Sequence, residues 1–150
     1  LRKPSNIEFL GGVLTQNQIY ASQSLCLIDF PLMSLSGKIN FKVLKLKKGS
    51  IIAFGAIPKP IYESMNMQFQ KNKLDNNSFV IGHDGFTHGW TKQEISQFNQ
   101  GSVLEISCRA GDLKITQKNK SCSTKLPKDV ELFVFVVLSG EAQVKMTHMM

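Results

Sequence analysis

SVLEISC at residues 102–108 and LKIT at residues 113–116 form the stretch of sequence that decides the fold. In the first run, Leu, Ile and Cys alternate with Glu and Ser, which is the period-two pattern of a strand with one buried face. The Ala-Gly-Asp sequence before the second run has the composition of a short hairpin connection. The stretch therefore predicts two antiparallel strands.

Further apolar runs of strand length lie on both sides of this hairpin. They are FKVLKL at 41–46, IIAFGAI at 51–57, SFVIG at 78–82, ELFVFVVL at 131–138 and AQVKM at 142–146. IIAFGAI and ELFVFVVL are apolar throughout, which predicts strands covered on both faces. The alternation in the first of these runs shifts by one residue, which predicts either a bulge near Val43 and Leu44 or a strand covered on both sides. Residues 7–14 and 25–30 predict two more strands in the N-terminal third.

Only one short helix is predicted. Thr91 and Glu94 have the spacing of a capping box, and Ile95 and Phe98 would form its apolar stripe. Many short strands with almost no helix predict an all-β fold, a two-layer antiparallel β-sandwich.

Length and composition are those of one globular domain. The chain has 150 residues, of which 42% are hydrophobic and 19% charged, enough to bury a core. No signal peptide is recognisable, and the longest apolar run is too short to span a bilayer. We expect no membrane partner. Because the chain begins with Leu1, we expect it to be a fragment of a longer protein.

The charge and the cysteines bear on the class of function. A net charge of +7 permits attraction to acidic proteins or nucleic acid. The basic residues are spread along the sequence, however, which makes nucleic acid an unlikely partner.

Cys26, Cys108 and Cys122 are odd in number and form no CxxC pair, which argues against a disulfide framework or a zinc site. We expect no cofactor, a cytoplasmic location, burial of Cys26 and Cys108, and exposure of Cys122.

From residue 37 to residue 146 the order of these elements resembles that of a SPRY domain, a concanavalin A-like jelly-roll sandwich. The resemblance rests on SGKINFKVLKL, IIAFGAI, FVIGHDGFTHGW, the hairpin strand GDLKI and the two late strands. Ser102 stands where the family usually has Asp, and Lys120 where it usually has Gly. We expect residues 1–150 to form a single SPRY-like domain, with residues 1–36 supplying N-terminal strands of the same sandwich.

The resemblance implies a function. SPRY domains are mostly non-catalytic interaction modules that hold a peptide or a protein subunit in loops at one edge of the sandwich. They often do so as substrate receptors in ubiquitin ligases or as scaffolds in large assemblies. The resemblance names no partner, and the sequence assigns no oligomeric state.

The loop at residues 83–90, HDGFTHGW, is the first candidate binding site. Its candidate residues are His83, Asp84, Phe86, His88 and Trp90. The aromatic residues alternate and could line a groove, and Trp is enriched among binding hot spots. The alternative is that Phe86 and Trp90 cap the core and His83 is a turn residue. The spacing of the two histidines and the aspartate matches no metal-site signature, so we expect no metal.

Lys59, Tyr62 and Arg109 complete the candidate set. Lys59 and Tyr62 follow a strand end, where sandwich loops present binding groups, and residues 65–69 alternate like an edge strand. If this segment met the first loop at one rim, Tyr62 and Trp90 would form an aromatic platform. Arg109 could pair with an acidic ligand, although such residues more often form surface salt bridges.

Two other functions remain open from the sequence. A glycan-binding, lectin-like sandwich would stack a sugar on Trp90 and bind it through Asp84. An architectural domain would use its surface only for packing in a large complex. No two carboxylates have a spacing that predicts a glycosidase pair.

Overall fold

The computed structural model describes residues 1–16, 23–29, 31–34 and 37–149. Over these ranges the chain forms thirteen strands and a single α-helix. In chain order they are β1 Glu8–Leu10, β2 Val13–Gln16, β3 Ser24–Leu27, β4 Lys38–Leu46, β5 Ile51–Pro58, α1 Lys59–Ser64, β6 Phe79–Gly82, β7 Thr87–His88, β8 Lys92–Gln93, β9 Val103–Arg109, β10 Asp112–Gln117, β11 Lys120–Lys125, β12 Leu132–Ser139 and β13 Ala142–Met149. Short 3₁₀ turns lie at Leu32–Ser34 and Lys71–Lys73.

The strands form two antiparallel sheets. The five-stranded sheet has the order β3-β12-β5-β6-β7, and the eight-stranded sheet has the order β1-β2-β13-β4-β9-β10-β11-β8. The predicted all-β sandwich is thus confirmed, and the hairpin predicted from residues 102–116 is β9–β10. None of the helices within the described residues is long and apolar enough to cross a bilayer.

Two hydrophobic clusters stabilise the sandwich. The inner core lies between the sheets, where the ring of Phe41 in β4 stacks on that of Phe54 in β5 with centroids 4.6 Å apart. The outer cluster covers the opposite face of the five-stranded sheet, where Phe135 and Val137 of β12 pack beneath the segment that follows β5. The strands β5 and β12 are therefore buried on both faces, as their uniformly apolar sequences predict.

The bulge predicted near Val43 and Leu44 is present. Gln143 of β13 pairs with Lys45 of β4, but the next residue, Val144, pairs with Val43. Leu44 is therefore the extra residue in β4. The shift keeps apolar side chains on the inner face along both parts of the strand.

The predicted helix at residues 91–98 is wrong. Lys92–Gln93 is strand β8 and pairs with β11. The Glu94 carboxylate accepts a hydrogen bond from the Ser121 backbone N–H at 3.1 Å, and the Glu94 N–H donates to the Ser121 carbonyl. These long-range bonds replace the local capping box. Ile95 and Phe98 are buried in the inner core from a non-helical segment.

The α-helix lies instead at Lys59–Ser64, where the sequence predicted a loop. Pro60 falls in its first turn, a position that needs no N–H donor and suits the fixed backbone angle of proline. The following residues are not the predicted edge strand, because Asn66 and Met67 adopt positive φ angles of 50° and 63°.

Two other expectations need correction. Residues 7–14 form two strands rather than one, because Gly11 and Gly12 adopt positive φ angles and turn the chain into the β1–β2 hairpin. Cys122 is fully buried rather than exposed, because it lies on the inner face of strand β11, which the sequence did not predict. Cys26 is buried as expected and Cys108 is half-buried. Residue 30, the end of one predicted strand, lies outside the described residues.

Candidate functional site

The predicted loop at residues 83–90 is a tight turn followed by a return strand. The Asp84 carboxylate accepts a hydrogen bond from the Phe86 N–H at 3.2 Å, and the Phe86 carbonyl accepts one from the Gly82 N–H at 2.7 Å. Thr87 and His88 then pair with β6 as strand β7. The exposed part of the loop is therefore short, and Asp84 is its exposed charged residue.

Both histidines of the loop contact backbone groups. His83 Nδ1 accepts a hydrogen bond from the Ile52 N–H at 3.2 Å, and the His83 N–H donates to the Ile52 carbonyl, which ties the turn to β5. His88 Nε2 lies 2.8 Å from the Asp75 carbonyl oxygen, and this hydrogen bond connects β7 to the segment before β6. Within the described ranges, no group of three His, Cys, Asp or Glu side chains could hold a metal ion.

Trp90 makes contacts within the sandwich. Its indole Nε1 donates to the Val80 carbonyl at 2.8 Å, and its ring lies 5.8 Å from that of Phe79. The half-buried side chain packs against the inner core. Trp90 follows strand β7, whereas Asp84 lies in the turn before that strand.

Tyr62 is also inside the molecule. Its side chain is 4% exposed and packs in the outer cluster, on the face of the five-stranded sheet opposite the inner core. Trp90 packs against the inner core, so the predicted Tyr62–Trp90 platform is not formed. Among the described residues, the buried Tyr62 hydroxyl has no hydrogen-bond partner. Burial raises the pKa of this phenol above its usual value.

The turn at residues 83–86 does not share a rim with Lys59. Gly82, which precedes the turn, pairs with Ala53 near the start of β5, whereas Lys59 follows the end of that strand. They therefore lie at opposite ends of the sheet. The turn instead meets Lys71, whose Nζ lies 4.1 Å from the centroid of the Phe86 ring. The crevice beside this pair has a volume of about 10 Å³, the space of a single water molecule.

A larger groove lies at the Lys59 end of the five-stranded sheet. We call it the Lys59 groove. It has a volume of about 570 Å³ and is lined by Pro58, Lys59, Pro60, Asp129, Val130, Glu131 and Phe133. Leu132 pairs with Pro58, so the beginning of β12 lies beside the end of β5 and the two strand ends border the groove. Its apolar surface comes from prolines, Val130 and Phe133, and its charges from Lys59 and two carboxylates.

Sequence reasoning found Lys59 but missed the β12 side of this groove. The sequence contained one indication of their pairing, because β5 and β12 are both apolar throughout, which is the pattern of strands covered on both faces. Antiparallel pairing of the two would have placed Val130 and Glu131 next to Lys59.

Arg109 lies elsewhere, on the exposed β9–β10 hairpin. It borders an open concavity of about 690 Å³ on the outside of the eight-stranded sheet, lined by β4, β9 and β10. Lys38 and Glu105 form an ion pair of 2.7 Å in this concavity. Arg109 has no ion pair with any described residue, and none of the other candidate residues lines this concavity.

Solved structures with the same architecture identify the fold. A human SPRY domain superposes with a TM-score of 0.67 and 18% identity, covering 95% of this chain and 94% of that chain. The SPRY domain of human HERC1 superposes with a TM-score of 0.67 and 15% identity, covering 95% of this chain and 92% of that chain. The NEUZ (NHR) domain in Neuralized from Drosophila melanogaster superposes with a TM-score of 0.64 and 12% identity, covering 97% of this chain and 88% of that chain. The chain has the fold of a SPRY domain.

The resemblance predicted from the order of the strands is thus confirmed at the level of the fold. No family model matches the sequence, and no curated protein matches it. The similarity to SPRY domains is therefore found by comparing structures and is not found by these comparisons of sequence.

The titratable groups of this SPRY-fold chain show no activated thiol. Burial raises the pKa of Cys26 to about 12, and burial also raises the pKa values of Cys108 and Cys122. A raised pKa leaves less of the nucleophilic thiolate at neutral pH. The pKa of Glu94 is lowered by the hydrogen bond from the Ser121 N–H and by Lys92, and this carboxylate holds β8 to β11.

Proposed function

We propose that this SPRY-fold chain is a non-catalytic module that binds a peptide segment of another protein in the Lys59 groove. The observation that carries the proposal is the groove itself. It is open, has a volume of about 570 Å³ and combines an apolar floor with charges of both signs. The protein-binding role that the SPRY resemblance implies supports the same conclusion.

One side of the groove is built from regular elements, whereas Asp129, Val130 and Glu131 lie in the segment before β12. Pro58 ends β5, Lys59 begins α1, and Phe133 belongs to β12. Phe133 is also part of the outer cluster, which anchors the floor in a packed layer. The part of the site that the strands and the helix hold is already shaped before the ligand arrives, so less conformational entropy is lost there on binding.

The chemistry of the lining residues defines the ligand. An apolar side chain of a peptide would cover Val130 and Phe133, while a flanking carboxylate would meet Lys59. A basic residue would meet Asp129 or Glu131. The preferred ligand is therefore a short segment of mixed charge with an apolar centre, rather than a uniformly acidic or basic one.

The raised thiol pKa values support a non-catalytic role. All three thiols are shifted away from the nucleophilic form. We further infer that the module acts in the cytoplasm, as a receptor or scaffold subunit of a larger assembly. Three unpaired cysteines suit a reducing compartment.

The test begins with peptides selected from a displayed random library on the immobilised, folded chain. Their affinities are then measured for the wild type and for Lys59→Glu/Val130→Asp, a variant that changes the charge and the floor of the groove. We expect a loss of about tenfold or more, equivalent to about 1.4 kcal/mol. The control is Lys71→Glu/Asp84→Lys, at the opposite end of the sheet, which should bind as the wild type does.

Circular dichroism and thermal melting establish that both variants are folded. Selected peptides that bind the Lys59→Glu/Val130→Asp variant as tightly as the wild type would overturn the proposal. Peptides that lose affinity only for the control would move the site to the turn at residues 83–86.

A further inference from the structure

A row of outward-facing side chains crosses five strands of the eight-stranded sheet. In order across β1, β2, β13, β4 and β9 the row consists of Leu10, Val13, Lys145, Lys42 and Val103, each paired in register with the next. Directly opposed residues of an antiparallel pair point to the same side of the sheet. We call this set the cross-strand row.

The alternate residues of these strands show which way the row points. Leu14, Val43, Val144 and Leu104 are buried in the inner core. Side chains one position away in a strand point to the opposite face. The cross-strand row therefore lies on the outer face of the sheet, away from the five-stranded sheet and the Lys59 groove.

Two lysines lie at the centre of the row without a counter-charge. Lys42 and Lys145 are directly opposed and exposed, and no carboxylate of the described residues lies within ion-pair distance of either. Other lysines of β4 are paired, Lys38 with Glu105 at 2.7 Å and Lys45 with Glu141 at 3.3 Å. Like charges directly opposed across a strand pair destabilise a sheet, so an anion placed between Lys42 and Lys145 would relieve this repulsion.

Apolar side chains lie on both sides of the lysines. Leu10 is 73% exposed and Val103 is 44% exposed. Their aliphatic side chains can pack against apolar groups of a ligand. The row contains no aromatic ring on which a nucleic-acid base could stack. Charge and apolar surface together therefore match an acidic polypeptide better than a nucleic acid.

We infer that the cross-strand row is a second binding surface, which takes an acidic segment of a partner protein in which aliphatic residues flank one or two carboxylates. Five strands at a spacing of about 4.8 Å span about 19 Å, the length of roughly six residues of extended chain. The segment lies across the strands, with its carboxylates at Lys42 and Lys145. This surface is independent of the Lys59 groove and would allow the domain to connect two proteins.

The test uses a labelled peptide, Leu-Val-Glu-Glu-Val-Leu, and the folded chain. In Lys42→Gln/Lys145→Gln the peptide should bind about tenfold more weakly, and binding to the wild type should weaken as salt is added. Lys47→Gln/Lys48→Gln, in the exposed β4–β5 turn, removes the same charge elsewhere and should bind as the wild type does. The Lys59→Glu/Val130→Asp variant should also retain binding.

Two further probes test the chemistry. The polar peptide Gly-Ser-Glu-Glu-Ser-Gly should bind more weakly than the aliphatic one, and Val103→Thr should reduce this preference. The inference is overturned if the aliphatic peptide does not bind the wild type, or if both lysine variants weaken it equally. It is likewise overturned if an oligothymidine binds through Lys42 and Lys145 while the peptide does not.

Discussion

Replacing Tyr62 by phenylalanine should stabilise the protein. The ring packs in the outer cluster and the side chain is only 4% exposed, yet the hydroxyl has no hydrogen-bond partner among the described residues. A buried polar group without a partner costs about 1–3 kcal/mol. Phenylalanine keeps the ring contacts and removes the hydroxyl, so we expect a gain of about 1 kcal/mol. For a domain of this size such a gain raises Tm by roughly 2–4 °C.

The matched variant Tyr62→Ala separates the hydroxyl from the ring. It removes the aromatic packing and should cost about 3–5 kcal/mol. Both values are measured by urea unfolding, followed by circular dichroism, with the wild type as the reference. A loss of 1 kcal/mol or more in Tyr62→Phe would show that the hydroxyl makes a favourable interaction, and the assigned position of Tyr62 would be wrong.

The same phenol predicts an alkaline effect. Burial raises the pKa of Tyr62 in the folded chain above its usual value of 10.0. The proton is therefore held more tightly in the folded state, and the associated stability is present below pH 10 and lost as the pH rises through the folded-state pKa. The advantage of Tyr62→Phe over the wild type should therefore increase above pH 10.

Further predictions concern backbone strain and a buried thiol. Gly89→Ala should destabilise the fold by at least about 2 kcal/mol in thermal melting, because φ is +89° and the new Cβ would lie 2.3 Å from the Ser78 carbonyl oxygen. Gly111→Ala, with a φ of +80° and open space around the Cβ, should cost only about 1 kcal/mol; equal losses would contradict the clash. Cys26→Ala should reduce the loss of stability between pH 9 and about 12, because burial raises the pKa of Cys26 from 9.0 to about 12 and stability is lost as the pH rises through that interval. An unchanged pH profile in urea unfolding would contradict this.

The parts of the fold that the sequence predicts are those fixed by local patterns. Alternation in β9 and the short connection to β10 are properties of neighbouring residues. The apolar runs of β5 and β12 likewise identify two central strands without knowledge of their partners. The bulge at Leu44 follows from a phase shift in a single strand. In each case the side-chain pattern is the direct consequence of which face is buried.

The errors arose where distant partners decide the structure. Glu94 bonds to Ser121 in another strand, so the local capping pattern has no effect. Polar β11 is a strand because β10 and β8 pair with it on both sides, although its sequence shows little strand propensity.

The burial of Tyr62 can be predicted from the apolar sequences of β5 and β12. If β5 and β12 are apolar on both faces, some other segment must cover the outer face of their sheet. The chain after β5 is the segment that does so, through Tyr62, Met65 and Phe69. The opposite positions of Lys59 and the turn at residues 83–86 follow from the antiparallel pairing of β5 with β6, which the sequence alone does not specify.

The most direct test of the central claim is an amide chemical-shift titration of the isotope-labelled chain with a library-selected peptide. Binding in the Lys59 groove predicts that the largest changes fall at Lys59, Val130 and Glu131, with none at the turn of residues 83–86. Changes confined to that turn, or to Arg109 and its hairpin, would contradict the assignment of the Lys59 groove as the protein-binding site.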